Sequence, residues 1–207
     1  SDTPRPGNAK FKKLTPVDPN SANPYQLTEA DRTVIGNTTP KFSGGFGLNA
    51  TYKGFDLSMF FNFMYDFDVF NANKVMLTTW ADSHENNFGM EVASDRRWRN
   101  FDDMGNEIRY SPEILAEFNK NATMWNPTSI GKPICMSYAV EDGSFLRLKN
   151  IVLGYALPKH IVRKCGLTKL RFYLAADNLL TLTKYDGYDP EVGNDGLSTR
   201  GLDMGTY

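Results

Sequence analysis

The chain is poor in the residues that build most catalytic centres and disulfide-stapled domains. Its 207 residues include two cysteines and two histidines. A predicted strand separates Cys135 from Cys165, so their Cα atoms should lie beyond the roughly 7 Å that a disulfide allows, and two free thiols are expected. His84 and His160 are far apart in the sequence, and no nucleophile, base and orienting group share a recognisable spacing. We therefore predict no enzyme activity, no metal site and no cofactor.

Long apolar runs and an excess of one charge sign are also missing. No segment approaches the roughly 20 apolar residues that a membrane-spanning helix requires. The net charge of −1 lacks the basic excess that marks nucleic-acid binding, so no nucleic-acid partner is expected. These absences exclude a helical membrane protein. They leave a membrane barrel open, because its lumen face and its loops are polar.

Aromatic residues are abundant by contrast, and they alternate with polar ones. The chain has 14 phenylalanines and 10 tyrosines, and residues 42–52 and 55–67 place an apolar residue at nearly every second position. Side chains of a strand point alternately to its two faces, so each segment has one apolar face. A tight turn at Lys53-Gly54 pairs Tyr52 with Phe55 and Phe46 with Phe61, which merges the two apolar rows. The sequence predicts a long hairpin over residues 41–69.

The length of these strands indicates a lipid environment. Ordinary strands have about 5 to 6 residues, whereas barrel strands that cross a membrane need about 9 to 11, with apolar side chains toward lipid and polar ones toward the lumen. A second hairpin is predicted over residues 144–184, with a bulge near Lys149-Asn150 and a helical turn from Pro158 to Gly166. We predict an all-β fold, an antiparallel transmembrane β-barrel portion with about four long strands.

The other segments are predicted to be loops. Residues 1–40 form a proline-rich loop, and residues 70–143 form a long extracellular loop with a helix that starts at Pro112 and is capped by Ser111. Residues 185–207 form a loop and the start of a last strand near Met204. Closed membrane barrels begin at about 8 strands. The barrel is therefore incomplete on its own, and we expect a fragment of a longer protein that aggregates when it is isolated.

Eight short motifs occur in an order that resembles one protein family. They are DRTVIGN (31–37), FSGGF (42–46), YKGFDLS (52–58), DGSFLRLKN (142–150), LGYALP (153–158), LRFY (170–173), NLLTLT (178–183) and GYDP (187–190). Together they resemble the C-terminal barrel end of SusC/RagA-like TonB-dependent outer-membrane transporters. The match covers nearly all of the chain outside the loop at residues 70–143.

That resemblance implies a location and a function for the complete protein. It implies a Bacteroidetes importer in the bacterial outer membrane, with a barrel of about 22 strands surrounded by outer-membrane lipid. A SusD-like lipoprotein would cover the extracellular mouth, and TonB would act through an N-terminal region that is missing here. The implied cargo for nutrient uptake is a glycan, taken up as an oligosaccharide, or a peptide. The alternative is a secreted carbohydrate-binding β-sandwich module, which would have shorter strands and a polar outer face.

Two features of the loops have competing interpretations. Trp80, Trp98 and Trp125 lie in the long loop, where aromatic rings either contact the cargo or the lipoprotein lid, or form a small core that folds the loop on itself. Four acidic residues follow the last predicted strand, and their oxygens suit calcium, but their spacing matches no EF-hand and favours a solvated loop. They are Asp186, Asp189, Glu191 and Asp195.

Overall fold

A computed structural model describes residues 5–79, 89, 96–129, 135–164, 166–191 and 201–203. The chain divides into two compact units. We call the first the strand unit, drawn from Gly36–Phe70 and Val140–Asp203, and the second the loop unit, drawn from Ser1–Ile35 and Asn71–Ala139. No helix in the described part of the chain has the length and the apolar character needed to cross a membrane.

The strand unit contains two sheets, and the four long strands pair antiparallel. The described strands are β1 (Phe42–Tyr52), β2 (Phe55–Tyr65), β3 (Asp68–Asn71), β4 (Val140–Asp142), β5 (Phe145–Ala156), β6 (Arg171–Thr183) and β7 (Leu202–Asp203). The four long strands form one sheet in the order β1-β2-β5-β6, and the short strands form a second sheet in the order β4-β3-β7. The four strands of the large sheet have 11 to 13 residues each. This is the length that the alternation predicted.

The first hairpin has the predicted register. Tyr52 pairs with Phe55 and Phe46 with Phe61. Lys53 and Gly54 have φ angles of 45° and 90°, as a two-residue turn of the type that matches strand twist requires. The alternation predicted a strand up to Phe67, but β2 ends at Tyr65. The next residue, Asp66, has a φ of 60°, and this redirects the chain.

The predicted bulge in β5 is confirmed. The pairing of β5 shifts by one residue at Lys149, where Leu148 pairs with Phe61 and the next paired residue, Asn150, pairs with Phe60. A bulge inserts an extra residue that the neighbouring strand does not match. The apolar residues on both sides of Lys149 therefore share one face, although their spacing in the sequence is odd.

A small core closes the end of the sheet that carries the long loops. Phe67, Val69, Phe145 and Tyr185 form a buried cluster, and the Tyr185 hydroxyl donates to Asp203 Oδ2 at 2.6 Å. The short strand β7 pairs within the small sheet, where Gly201 O accepts from Phe70 N at 2.7 Å. The start of a last strand predicted near Met204 falls outside the described residues. Phe67 thus packs in this core instead of extending the apolar row of β2.

The described helices are short. They are α1 (Ala72–Thr78), α2 (Pro112–Phe118) and α3 (Lys159–Lys164). As predicted, α2 begins at Pro112, but the Ser111 side chain makes no capping hydrogen bond. The connection between β5 and β6 is the predicted helical turn, with Val162 buried and a positive φ at Gly166. Its backbone closes through Gly166 N, which donates to Arg163 O at 3.1 Å.

Candidate functional site

One face of the large sheet is entirely uncharged. In the middle row Leu48 pairs with Met59, Met59 with Ile151, and Ile151 with Ala176. The other residues that the register places on this face are Phe42, Gly44, Phe46, Ala50, Tyr52, Phe55, Leu57, Phe61, Phe63, Tyr65, Leu146, Leu148, Leu153, Tyr155, Phe172, Leu174, Leu180 and Leu182. We call this surface the apolar face. It runs unbroken across all four strands.

Nothing in the described strand unit covers the apolar face. Leu48 is 50% exposed, Phe55 52% and Leu174 73%. A water-soluble monomer seldom exposes a continuous apolar patch larger than a few hundred Å². The apolar face is therefore built to meet lipid or another protein. A second sheet packed over Phe55, which the sandwich alternative requires, is not present among the described residues.

Aromatic residues occupy both ends of the apolar face. Tyr52, Phe55 and Phe172 lie at the end with the short turns, and Phe42 and Tyr65 lie at the other end. Phe42 and Tyr52 are ten residues apart on β1, which corresponds to about 33 Å of strand and, at a tilt of about 40°, to about 25 Å of depth. Outer-membrane barrels have an apolar band of about 25 Å between two aromatic girdles. The dimensions of the face match those of a bilayer core.

The opposite face, which we call the polar face, holds an ion-pair cluster around a buried arginine. Arg147 is 5% exposed and donates to Asp189 Oδ1 at 2.5 Å and to Glu191 Oε2 at 2.8 Å. Asn62 Nδ2 donates to Glu191 Oε1 at 3.3 Å, and Lys149 Nζ lies 3.8 Å from Glu191 Oε2. Paired, hydrogen-bonded charges of this kind are among the strongest polar contacts in proteins. They fix the segment after β6 against the polar face.

This cluster refines the prediction of a solvated acidic loop, because Asp186 is exposed whereas the side chains of Asp189 and Glu191 are 37% and 26% exposed and are held in ion pairs. Two of the four acidic residues, Asp189 and Glu191, bind Arg147, and the backbone N–H of Asp186 donates to Glu141 Oε2 at 3.1 Å. Asp195 falls outside the described residues. Alternation in β5 indicated only that Arg147 faces away from the apolar side. Nothing in the spacing showed that it meets carboxylates more than forty residues later.

A second ion pair crosses the polar face nearer the short turns. Arg171 on β6 donates through Nε to Asp56 Oδ1 at 3.0 Å and through a second nitrogen to Asp56 Oδ2 at 2.5 Å. Gly154 on β5 lies between them, and a Cβ at this position would stand 2.5 Å from both Arg171 and Asp56. A side chain at this position would displace the ends of both side chains, so the glycine leaves room for the bidentate pair. The pair therefore joins β2 to β6 across β5, at the position where Gly154 has no side chain.

Two of the three candidate tryptophans lie among the described residues of the loop unit, and both pack within that unit. Trp98 lies against Gly7, where a Cβ would come within 2.2 Å of its ring, and its Nε1 donates to Asn100 Oδ1 at 3.3 Å. Trp125 makes an edge-on contact with Tyr138 at 4.8 Å between ring centroids. Trp80 falls outside the described residues. These contacts agree with a loop that folds on itself and leave contact with cargo or lid untested.

Single polar side chains organise the backbone of the loop unit. The Asp31 carboxylate accepts from the backbone N–H groups of Thr15 at 2.7 Å, Thr28 at 2.8 Å and Leu14 at 2.9 Å. These hydrogen bonds, that of Thr15 first, hold the pKa of Asp31 well below its ordinary value. Asn119 accepts from Arg99 N at 2.7 Å and donates to Arg99 O at 2.9 Å. Each residue ties together two stretches of irregular chain.

The described part of the chain gives little evidence of a metal site or of a cysteine-based site. There, no group of three or more histidine, cysteine, aspartate or glutamate side chains is placed to hold a metal ion. Cys135 is free and exposed, as predicted, and Cys165 falls outside the described residues.

Comparison with known proteins gives a consistent result. No family model matches the chain. It is 35% identical to TonB-dependent receptor P3 of Formosa agariphila over 188 residues, which cover 88% of this chain and 16% of that protein. TonB-dependent receptor P39 of the same organism is 29% identical over 173 residues, covering 80% of this chain and 14% of the relative. The chain thus spans about a sixth of the length of the curated relatives it matches.

Solved structures agree with these relatives. The RagAB peptide importer in its closed-closed state matches with a TM-score of 0.61 and 25% identity, over 86% of this chain and 17% of that one. A structure of the RagAB peptide transporter matches with a TM-score of 0.57 and 25% identity, over 80% and 15%. The strands, the apolar face and these matches define a portion of an outer-membrane β-barrel that does not close on its own.

Over most of its length the chain is similar to TonB-dependent receptors and to the RagAB importer, which confirms the predicted resemblance to SusC/RagA-like TonB-dependent receptors. The predicted outer-membrane location is confirmed by these relatives. Since the relatives are receptors and transporters, the prediction that the chain is no enzyme is confirmed as well.

Proposed function

We propose that this chain forms part of the barrel wall of a TonB-dependent outer-membrane importer. The observation that carries the proposal is the contrast between the two faces of the large sheet. One face is uncharged over about 25 Å of depth, and the other carries Arg147 and Arg171 in ion pairs. The relatives named TonB-dependent receptors and the solved RagAB importers support the same activity.

The proposal assigns an environment to each part of the strand unit. The apolar face meets outer-membrane lipid, and the polar face lines the aqueous lumen. The short turns at residues 53–54 and 157–170 face the periplasm, and the loop at residues 70–143 faces the cell exterior, because outer-membrane barrels have short periplasmic turns and long external loops. TonB supplies energy through an N-terminal region that precedes this segment in the complete receptor.

Cargo and partner belong to the complete receptor. We propose that the cargo is a peptide or an oligosaccharide, and the name of the RagAB peptide importer supports the peptide. We propose a SusD-like surface lipoprotein as the partner, on the basis of the SusC/RagA resemblance. Uptake of a labelled peptide and of a labelled oligosaccharide, compared between cells with and without the receptor, separates the two cargo classes.

Trp80, Trp98 and Trp125 are proposed to lie in the part of the external loop that meets the cargo or the lipoprotein. The test replaces each tryptophan by alanine in the complete receptor and measures uptake relative to the amount of receptor on the cell surface. Met104→Ala is the control, because Met104 is 89% exposed. Uptake that falls only in proportion to the surface amount would assign the tryptophans to loop folding alone.

The environment of the two faces is tested with single cysteines in the complete receptor. Leu174→Cys lies on the apolar face and Thr181→Cys on the polar face of the same strand, in a background in which Cys135 and Cys165 are serine. In isolated outer membranes, a charged maleimide should label Thr181→Cys and leave Leu174→Cys unlabelled. Detergent-free solubility with equal labelling of both sites would favour the secreted carbohydrate-binding sandwich instead.

A further inference from the structure

The end of the strand unit with the short turns, which we call the turn end, is rich in cations. Lys53 lies in the first turn, and four more cations lie between β5 and β6. They are Lys159, Arg163, Lys164 and Lys169, and all five side chains are exposed. The sequence has no aspartate or glutamate from residue 143 to residue 176. Among the described residues, none of the five cations forms an ion pair.

The two turns that carry these cations are neighbours. Ala156 N, at the end of β5, donates to Gly54 O in the first turn at 2.8 Å. The aromatic end of the apolar face lies directly beside them, with the Phe55 and Tyr155 rings 4.4 Å apart. The cations therefore lie just beyond the ring row that marks the edge of the apolar face.

Two exposed apolar side chains are interspersed with the cations. Ile161 is 42% exposed and Leu167 is 45% exposed, whereas Val162 of the same helical turn is buried. A segment that mixes outward apolar residues with basic ones suits the boundary between headgroups and acyl chains. Lysine and arginine also reach from an apolar boundary to a polar layer with their long stems.

The other end of the strand unit does not share this charge pattern. Most of its described cations have carboxylate partners, since Lys41 pairs with Asp66, Arg147 pairs with Asp189 and Glu191, and Lys149 lies near Glu191, whereas Lys184 forms no ion pair with a described residue. The whole chain has a net charge of −1. At the turn end the five cations face a single carboxylate among the described residues, Asp56, which is held in its pair with Arg171, so the net positive charge there exceeds that of the chain as a whole.

We propose that the turn end binds the anionic phospholipid headgroups of the leaflet that it meets. Basic clusters beside a membrane-embedded segment attract anionic lipid, and each lysine or arginine adds to the attraction. This inference rests on the proposed function, because it needs the apolar face to lie in a bilayer. Phosphatidylglycerol, which carries a net negative charge, is the probe of this chemistry.

The test uses the complete receptor in detergent with equal amounts of phosphatidylglycerol and phosphatidylcholine, and native mass spectrometry counts the bound lipids. The turn variant replaces Lys159, Arg163, Lys164 and Lys169 by glutamine. The control variant replaces Arg5, Lys10, Lys12 and Lys184 by glutamine, which removes the same number of exposed lysines and arginines. In a charge-retaining variant, each lysine at the four turn positions is replaced by arginine and the arginine by lysine. This variant shows whether substitution at these positions impairs folding by itself.

The unmodified receptor, the control variant and the charge-retaining variant should prefer phosphatidylglycerol. In the turn variant this preference should fall by at least about fivefold, which is the attraction expected of one cation at a membrane surface. The preference should also weaken as salt is raised, because salt screens exposed charges.

An unchanged preference in the turn variant, or an equal loss in the control variant, would overturn the proposal. The proposed function fails separately: a receptor that retains its lipid preference but imports nothing refutes the importer, whereas import without lipid preference refutes only this inference.

Discussion

The two compact units are organised in different ways. In the strand unit, one alternation repeated over four strands decides which side chains lie on the apolar face and which lie on the polar face. In the loop unit, irregular chain is held by individual polar side chains such as Asp31 and Asn119. The strand unit therefore depends on the class of residue at each position. The structure of the loop unit depends instead on the identity of a few polar residues.

This difference predicts where a single substitution is tolerated. An exchange of one apolar residue for another on the apolar face should have a small effect, because lipid adapts to shape. Removal of one side chain that bonds several backbone groups should open the loop unit locally, since buried groups lose partners that water does not replace. Four sets of variants test the comparison, and they are ordered from the largest expected effect to the smallest.

The strongest test places a charge in the middle of β1. Leu48→Arg introduces a cation near mid-bilayer, where arginine costs about 2–4 kcal/mol on a lipid-facing strand. Asn49→Arg, one residue away on the polar face, should cost less than about 1 kcal/mol. Urea unfolding of the complete receptor in vesicles measures both. Equal losses would show that the two faces of β1 meet the same environment.

The next test removes the buried guanidinium from the polar face. Arg147→Met removes the cation that pairs with Asp189 and Glu191, and because both carboxylates are partly exposed the local cost should be about 1–3 kcal/mol. Faster amide hydrogen exchange in residues 185–191 should report the opening of this segment. Lys149→Met removes a half-exposed cation 3.8 Å from Glu191. The free energy of opening that exchange reports should change by less than about 1 kcal/mol in this variant. If Arg147→Met leaves hydrogen exchange in residues 185–191 unchanged, other contacts hold this segment.

In the loop unit, Asn119→Ala removes three hydrogen bonds to backbone groups of Arg99 and Leu115. The expected loss is about 1–2 kcal/mol, confined to the loop. Limited proteolysis between residues 96 and 129 should accelerate in this variant. Asn121→Ala changes an exposed asparagine nearby and should leave cleavage unaltered. If both variants are cleaved alike, single side chains do not organise this unit.

The smallest effect concerns the pH dependence of the segment at residues 13–31. Hydrogen bonds from Thr15, Thr28 and Leu14 lower the pKa of Asp31, so the ionised carboxylate stabilises the segment above its unfolded pKa of about 4. That stabilisation is lost as pH falls further, toward the lowered pKa of the folded state. The protection factors of the Thr15 and Thr28 amides, which correct for the intrinsic pH dependence of exchange, should decrease on acidification. This decrease should disappear in Asp31→Asn and persist in Glu29→Gln.

The same contrast explains how much could be predicted from the sequence. The register of β1 with β2, the bulge at Lys149 and the start of α2 follow from local patterns of period or turn chemistry, and all three are confirmed. The partners of Arg147 lie 42 and 44 residues away, and no period marks them. The bonds of Asn119 to Arg99 likewise depend on irregular backbone.

Two misjudged details have the same physical origin. Phe67 continues the alternation of β2, but the left-handed backbone of Asp66 turns it into the small core. The Ser111 side chain has the right chemistry for a cap, yet it makes no capping bond at α2. In both places the local structure depends on the backbone conformation of one residue. Neither an alternation of apolar residues nor a preference for a cap residue predicts that conformation.

The extra residue at Lys149 has a consequence for how sequences of this kind vary in length. Removal of Lys149 would leave Leu148 and Ile151 two positions apart. The regular alternation of β5 would then place its apolar side chains on the apolar face without a bulge. Removal of Val152 would instead rotate one half of β5 and turn either Leu153 or Leu148 toward water. Among relatives, a one-residue gap within this strand should therefore occur at Lys149 before it occurs anywhere else.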